Sequence, residues 1–219
     1  MQAQSIAVVQ RATPTFNVFS EARAEDLKLI GVTKTFGRDQ EVFGDGESPD
    51  FVYRVVAGAV RSFRVLADGR RQIDDFFLPG DVFGIEMGSR RTSAAEAIGE
   101  ATLVLAKRST VASDQEQAAR LWRQTMEQLR RAQDHVLTLG RRTATERVAS
   151  FLIDLVERLD AAVEIDLPMS RQDMADYLGL TIETVSRTMT HLQARGLIRL
   201  AGCRRVRLLR PAALADLCE

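Results

Sequence analysis

The sequence predicts an α+β chain made of an N-terminal antiparallel β-roll, one long helix suited to self-pairing, and a C-terminal winged helix-turn-helix. Three observations carry this prediction. Residues 30–108 hold short apolar-polar alternations punctuated by glycine, and residues 111–139 switch to a helical period. Residues 168–196 carry two short amphipathic helices joined by a glycine-containing turn.

The chain divides into an arm (1–22), a roll (23–110), a pairing helix (111–139) and a winged helix-turn-helix unit (140–219). Thr13 to Arg23 mixes polar residues with Phe16, Val18 and Phe19 and reads as an arm or a loose first helix. In the roll, 51–56, 59–66 and 72–78 are strands, separated by Ala57-Gly58, Asp68-Gly69-Arg70 and Pro79-Gly80-Asp81. Short strands at such regular spacing favour antiparallel hairpins closing into a barrel or roll over a parallel sheet.

In the pairing helix Trp122, Leu129 and Val136 recur every seven residues, as do Ala118, Thr125, Ala132 and Leu139, flanked by charged residues. Such a seam must be buried, either within one chain or against a second copy. Self-pairing is preferred, because no other helix here has the length to cover it. A following helix, near 144–159, turns Val148, Phe151, Leu152 and Leu155 inward. An acidic, proline-containing link then leads to the last unit.

There Pro168 restricts the chain, Ser170 caps a first helix from Arg171, and Asp173 completes a capping-box-like signal. Gly179 supplies the turn and Thr181 caps a second helix. Val185, Met189 and Leu192 form its apolar stripe, leaving Glu183, Ser186, Arg187 and Thr190 on another face. Glu183 and Arg187 could form an intrahelical ion pair of about 0.2–0.5 kcal/mol. Here their chemistry suits base edges in a DNA major groove instead, since arginine grips guanine with two hydrogen bonds and glutamate accepts from cytosine. Beyond Gly196, residues 197–200 and 204–209 form a two-stranded wing. Its Arg204, Arg205 and Arg207 either protect a strand edge by charge or contact phosphates. Residues 170–219 hold eight arginines and no lysine against five acids, so they are positive within a chain whose net charge is zero.

Composition excludes several alternatives. At 219 residues, with 45% hydrophobic and 27% charged residues, the chain has room for two domains and a good core. No apolar run approaches the roughly 18 residues of a membrane span, and the N-terminus lacks a secretory signal, so a cytoplasmic location is expected. Cys203 and Cys218 are too few for a disulfide framework or a zinc site, and Cys203 reads as a free thiol. The sequence shows no nucleophile-base arrangement, metal cluster or phosphate-binding glycine loop, so no enzyme is expected.

The order of parts, with P-G-D-x-F-G at 79–84 and E-T-V-S-R at 183–187, resembles the CRP/FNR superfamily of bacterial transcription regulators over nearly the full length. F-G-I-E-M-G-S and T-S-A-A-E-A-I are similar to the roll of its FixK-like branch. The resemblance implies a cyclic-nucleotide-binding-like roll and a homodimer, most simply an activator, that meets RNA polymerase at double-stranded DNA. It implies that Glu183, Ser186 and Arg187 read bases in TTGAT-like half-sites. Backbone contacts are expected from Ser170, Arg171, Gln172, Thr181, Thr184, Arg204 and Arg205, and dimer contacts from Trp122, Thr125, Leu129, Ala132, Val136 and Leu139. Cyclic-nucleotide binders carry adjacent Gly-Glu and Arg-Ser-Ala. Here Gly84-Ile85-Glu86 and Arg91-Thr92-Ser93-Ala94 depart from that cassette, so Arg90 and Arg91 are expected to be surface charges. An iron-sulfur cluster needs more thiolates than two cysteines supply. The only histidines, His135 and His191, read as surface or interface residues rather than haem ligands. No cofactor is expected, and control without a bound effector is the reading that fits; an effector-gated roll is the alternative.

Overall fold

The computed structural model describes residues 29–218. The expected arm and the first residues assigned to the roll lie outside the described residues. The roll comprises β1 (Val32–Phe36), β2 (Glu41–Phe43), β3 (Phe51–Ala57), β4 (Val60–Val65), β5 (Arg71–Phe77), β6 (Val82–Phe83), β7 (Ala94–Ala97) and β8 (Ala101–Lys107). They form two antiparallel four-stranded sheets, ordered β1-β8-β3-β6 and β2-β7-β4-β5. Between the sheets lie Phe36, Phe43, Val55, Val60, Phe77, Phe83 and Leu103, all buried. Alternation builds this core, because the inward residues of each strand come from one face of the pleat. Gly58, at φ +79°, closes the β3–β4 hairpin, and any Cβ there would sit 2.2 Å from the Glu100 carbonyl oxygen.

The helical stretch does not run unbroken from residue 111. A short helix, α1 (Arg108–Ser113), ends at Asp114, and α2 (Gln115–Arg141) begins there. Asp114 has extended backbone angles and its carboxylate accepts from the Glu116 and Gln117 N–H groups, so it caps the new helix instead of continuing the old one. Next, α3 (Ala144–Arg158) starts from a full capping box between Thr143 and Glu146 and buries Val148, Phe151, Leu152 and Leu155, as its periodicity predicts.

The C-terminal unit adds β9 (Glu164–Asp166), α4 (Arg171–Leu178), α5 (Ile182–Ala194), β10 (Ile198–Ala201), β11 (Arg205–Leu208), α6 (Pro211–Ala215) and a final turn, Asp216–Cys218. The acidic link thus contains a strand that sequence patterning does not reveal, and the wing is three-stranded, ordered β10-β11-β9. Three residues with one inward side chain, Ile165, are too short for alternation to stand out. One apolar core runs from the roll into this unit, joining Ile73, Phe76 and Leu78 to Phe151, Leu152, Met174, Leu178, Val185 and Leu192. Phe76 meets Phe151 edge-on at 6.0 Å and Tyr177 at 5.2 Å. Roll and C-terminal unit therefore share buried surface.

Candidate nucleic-acid interface

Helix α4 begins where Ser170 and Asp173 bond reciprocally: the Asp173 N–H donates to Ser170 Oγ, while Ser170 N and Oγ both donate to Asp173 Oδ2. It ends at Gly179, whose φ of +62° is left-handed and suits glycine. Thr181 Oγ1 then accepts from Thr184 N at 3.2 Å, starting α5. Burial of Val185, Met189 and Leu192 fixes which face of α5 points away. That face carries Glu183, Ser186, Arg187 and Thr190, all exposed.

The electrostatics of this face match its place at a helix N-terminus. The Glu183 carboxyl lies below the usual range, chiefly through its backbone N–H and then the Thr181 hydroxyl, with Arg187 contributing least. The two charged heads thus stand apart rather than closing into the ion pair that their spacing permits. Thr190 donates to the Ser186 carbonyl, 3.1 Å away, and leaves the outward face to the other three.

Around this ridge, Gln172 and Thr181 are exposed, while Arg171 and Thr184 are half-buried. Arg171 Nη1 lies 3.4 Å from Met174 Sδ, which holds its stem along α4. Ser170 is exposed, yet its N–H and O–H are both spent on Asp173, so a phosphate contact there requires an exchange of partners. In the wing, Arg204, Arg205 and Arg207 are exposed. For Arg205 and Arg207 the edge-protection alternative does not hold, because both lie on β11, the central strand of its sheet, while Arg204 stands in the turn before it. Arg205 lies 3.7 Å from Glu164, an exposed pair of small energetic weight. Cys203 is exposed and free.

The α2 seam differs from its expected second row. Trp122, Leu129 and Val136 are exposed at 64%, 49% and 67%, joined by Met126, and so make a free apolar stripe. Gln133 and Gly140 continue it, giving positions 122, 126, 129, 133, 136 and 140. Thr125 and Leu139, expected in the seam, are half-buried on their own chain. Thr125 Oγ1 donates to Leu121 O, and Arg147 Nη2 donates to Leu139 O. Ala132, though exposed, borders a cleft shared with Asp75, His135 and Tyr177. The cause is helical geometry: Gln128, Arg131 and His135 face the roll and α4, which pushes the free row to the i+4 side. Gln128 donates to Val82 O, Arg131 faces Asp75 at 4.0 Å, and the His135 ring stacks on Tyr177 at 3.9 Å.

In the roll, Arg91 is not a surface charge. It is 3% exposed, lies 3.6 Å from the Phe43 ring centroid, and donates to Gly84 O and Phe51 O at 3.2 and 2.8 Å. Phe43 and Phe51, which supply the ring and one of the carbonyls, are remote in sequence, so no local pattern forecasts this burial. Arg90 is exposed as expected and donates to Gly46 O. His191 is exposed on α5, whereas His135 packs between α2 and α4.

Fold and site together define a regulator class: a β-roll and a long helix carrying a winged helix-turn-helix that binds DNA. Comparison with known proteins agrees. Residues 33–113 match the cyclic nucleotide-binding domain and residues 146–217 the Crp-like helix-turn-helix domain. The chain is 48% identical over 203 residues to the nitrogen fixation regulation protein FixK of Azorhizobium caulinodans, covering 89% of this chain and 82% of that protein. It is 47% identical to the FixK of Rhizobium meliloti, covering 84% and 86%. The solved structure of FixK2 from Bradyrhizobium japonicum superposes with a TM-score of 0.83 at 46% identity, covering 87% of this chain and 98% of that one. The chain belongs to the CRP/FNR family of transcription regulators, on its FixK-like branch, and is not an enzyme. No helix among the described residues is long and apolar enough to cross a membrane.

Proposed function

We propose that this chain acts as a cytoplasmic homodimeric activator that reads palindromic TTGAT-like half-sites without a bound effector, in the control of nitrogen- or oxygen-related genes. The observation that carries the reading is the ridge of Glu183, Ser186 and Arg187 at the start of α5, all three exposed, with Glu183 held chiefly by its own backbone N–H and the Thr181 hydroxyl. Arg187 suits guanine and Glu183 suits a cytosine amino group, each good pair discriminating by about 1–3 kcal/mol. Arg171, Gln172, Thr181, Thr184, Arg204 and Arg205 flank them as phosphate contacts, with Ser170 joining once it releases Asp173.

The apolar stripe on α2 supports pairing, since two copies joined along it would set two reading helices about 34 Å apart. In this reading the division into arm, roll, pairing helix and winged helix-turn-helix unit is kept, with Asp114 as the start of the pairing helix proper. Effector independence draws on Arg91, which is spent inside the roll on two carbonyls and an aromatic face. The neighbouring cavity, bordered by Phe43, Phe77, Phe83 and Gly84, measures about 120 Å³, below the ~300–1,000 Å³ of small-molecule sites. The names of its relatives support a role in nitrogen-fixation regulation. RNA polymerase, the partner that the CRP/FNR resemblance implies, would then be met at the promoter.

A gel-shift series with TTGAT palindromes tests this. Tight binding by purified protein, unchanged on adding cyclic AMP or cyclic GMP, is the expected result. Equal affinity for scrambled DNA, or binding only with a nucleotide present, would overturn it.

A further inference from the structure

The roll meets the reading unit through a charged cluster as well as through apolar packing. Arg61, on β4, is 7% exposed and binds Glu96 at 2.6 Å, Asp39 at 3.0 Å and Asp173 at 3.1 Å. Arg71, at the start of β5, binds Asp173 at 2.6 Å, Asp176 at 2.8 Å and Glu96 at 3.4 Å. Asp173 is 2% exposed, so its negative charge is tolerable only with close cationic partners.

The two carboxylates of α4 each divide their oxygens between two tasks. Asp173 Oδ1 faces both roll arginines, while Oδ2 accepts from Ser170 N and Oγ. Asp176 Oδ2 accepts from Arg71 Nε at 2.9 Å, while Oδ1 accepts from Gln172 Nε2 at 2.6 Å. Ser170 and Gln172 stand at the N-terminal end of α4, the end assigned above to the DNA backbone. Each carboxylate thus links a roll arginine to a residue of the DNA-facing edge.

We propose that Arg71, assisted by Arg61, is a positioning residue for DNA recognition: it sits in the roll, touches no DNA, and sets the reading unit through Asp176–Gln172 and Asp173–Ser170. This rests on the DNA-reading assignment and adds to it a roll-borne determinant of affinity. Arginine stays charged at all physiological pH values, so the link needs no ligand to form. A guanidinium can also serve two carboxylates at once, as Arg71 does here.

The test is a double-mutant cycle on affinity for the TTGAT palindrome in full-length protein, with Arg71→Ala, Gln172→Ala and the double variant. Arg71→Ala is expected to weaken binding about tenfold in the natural background and about threefold or less beside Gln172→Ala, because part of its effect passes through Gln172. Asp176→Asn, which keeps shape and removes charge, should reproduce the same pattern should Arg71→Ala fold poorly. A purely structural arginine would lower the melting temperature and give equal fold-losses in both backgrounds, which overturns the proposal. Unchanged affinity in Arg71→Ala, with the natural protein still binding, also overturns it and leaves the DNA reading intact. Failure of the natural protein to prefer the palindrome overturns both.

Discussion

Two arginines of opposite fate show how the same side chain is assigned by its surroundings. Arg187 stands exposed on α5 with its guanidinium free for a partner, whereas Arg91 is enclosed by aromatic rings and carbonyls. Arg187→Ala should cost about 1–3 kcal/mol on the palindrome and relax preference at a single base pair. Arg204→Ala should weaken all sequences alike and lower the slope of log affinity against log salt by about 1. Competition binding against single-base variants, repeated at two salt concentrations, separates the two. Equal loss on specific and scrambled DNA for Arg187→Ala would contradict base reading. Arg91→Ala should act on the fold, because the carbonyls of Gly84 and Phe51 lose a charged donor. A loss of about 1.5–3 kcal/mol in urea unfolding is expected, with DNA specificity retained. A variant as stable as the parent would place Arg91 outside the structural role.

At the scale of elements, the α2 stripe makes the sharpest forecast. In a parallel pair Leu129 meets its own copy, so Leu129→Glu loses two apolar contacts and sets two carboxylates side by side. Losing about 1.5–3 kcal/mol per leucine implies a dissociation constant raised roughly 10²–10⁴-fold. Sedimentation velocity at micromolar protein should then show monomer, while Thr125→Ala, turned toward its own chain, should remain dimeric. The reverse ranking would restore the i+3 row as the seam. Elements with strong local signals were legible: the caps at Ser170 and Thr181, the left-handed Gly179 and the apolar period of α5 all follow from short-range rules. Hidden features depended on distance along the chain. Asp114 splits α1 from α2 although an acidic residue is ordinary within a helix, and β9 takes its identity from pairing with β11. Arg61 and Arg71 sit in strands without any pattern announcing their partners, since Arg61 and Asp173 lie 112 residues apart. The ridge proposed to read bases was visible because it lies within five consecutive residues, and the supports beneath it were not.

For the whole molecule, the junction of roll, α2 and α4 decides how firmly the reading unit is held. His135 stacks on Tyr177 there, in a cleft also bordered by Asp74, Asp75 and Arg131. Burial lowers its pKa below the usual 6.5; a hydrogen bond to the Tyr177 backbone and the charge of Asp154 oppose this, and Arg147 adds to it. Its neutral form is therefore the one the packed junction prefers, and the unfolded chain binds the proton more readily. By linkage, the stability that His135 supports is complete above its unfolded pKa of about 6.5 and declines as pH falls through its lower folded value. His135→Gln, which cannot take up that proton, should flatten this part of the curve. Calorimetry at pH 7.5 and 5.5 should show a smaller drop in melting temperature for the variant than for the natural chain, each kcal/mol corresponding to about 2–4 °C at this size. Because the histidine bridges pairing helix and reading unit, the acid loss should also appear as weaker palindrome binding in the natural protein and less so in His135→Gln. Equal acid sensitivity in both proteins would assign the effect to the surrounding carboxylates and remove His135 from it.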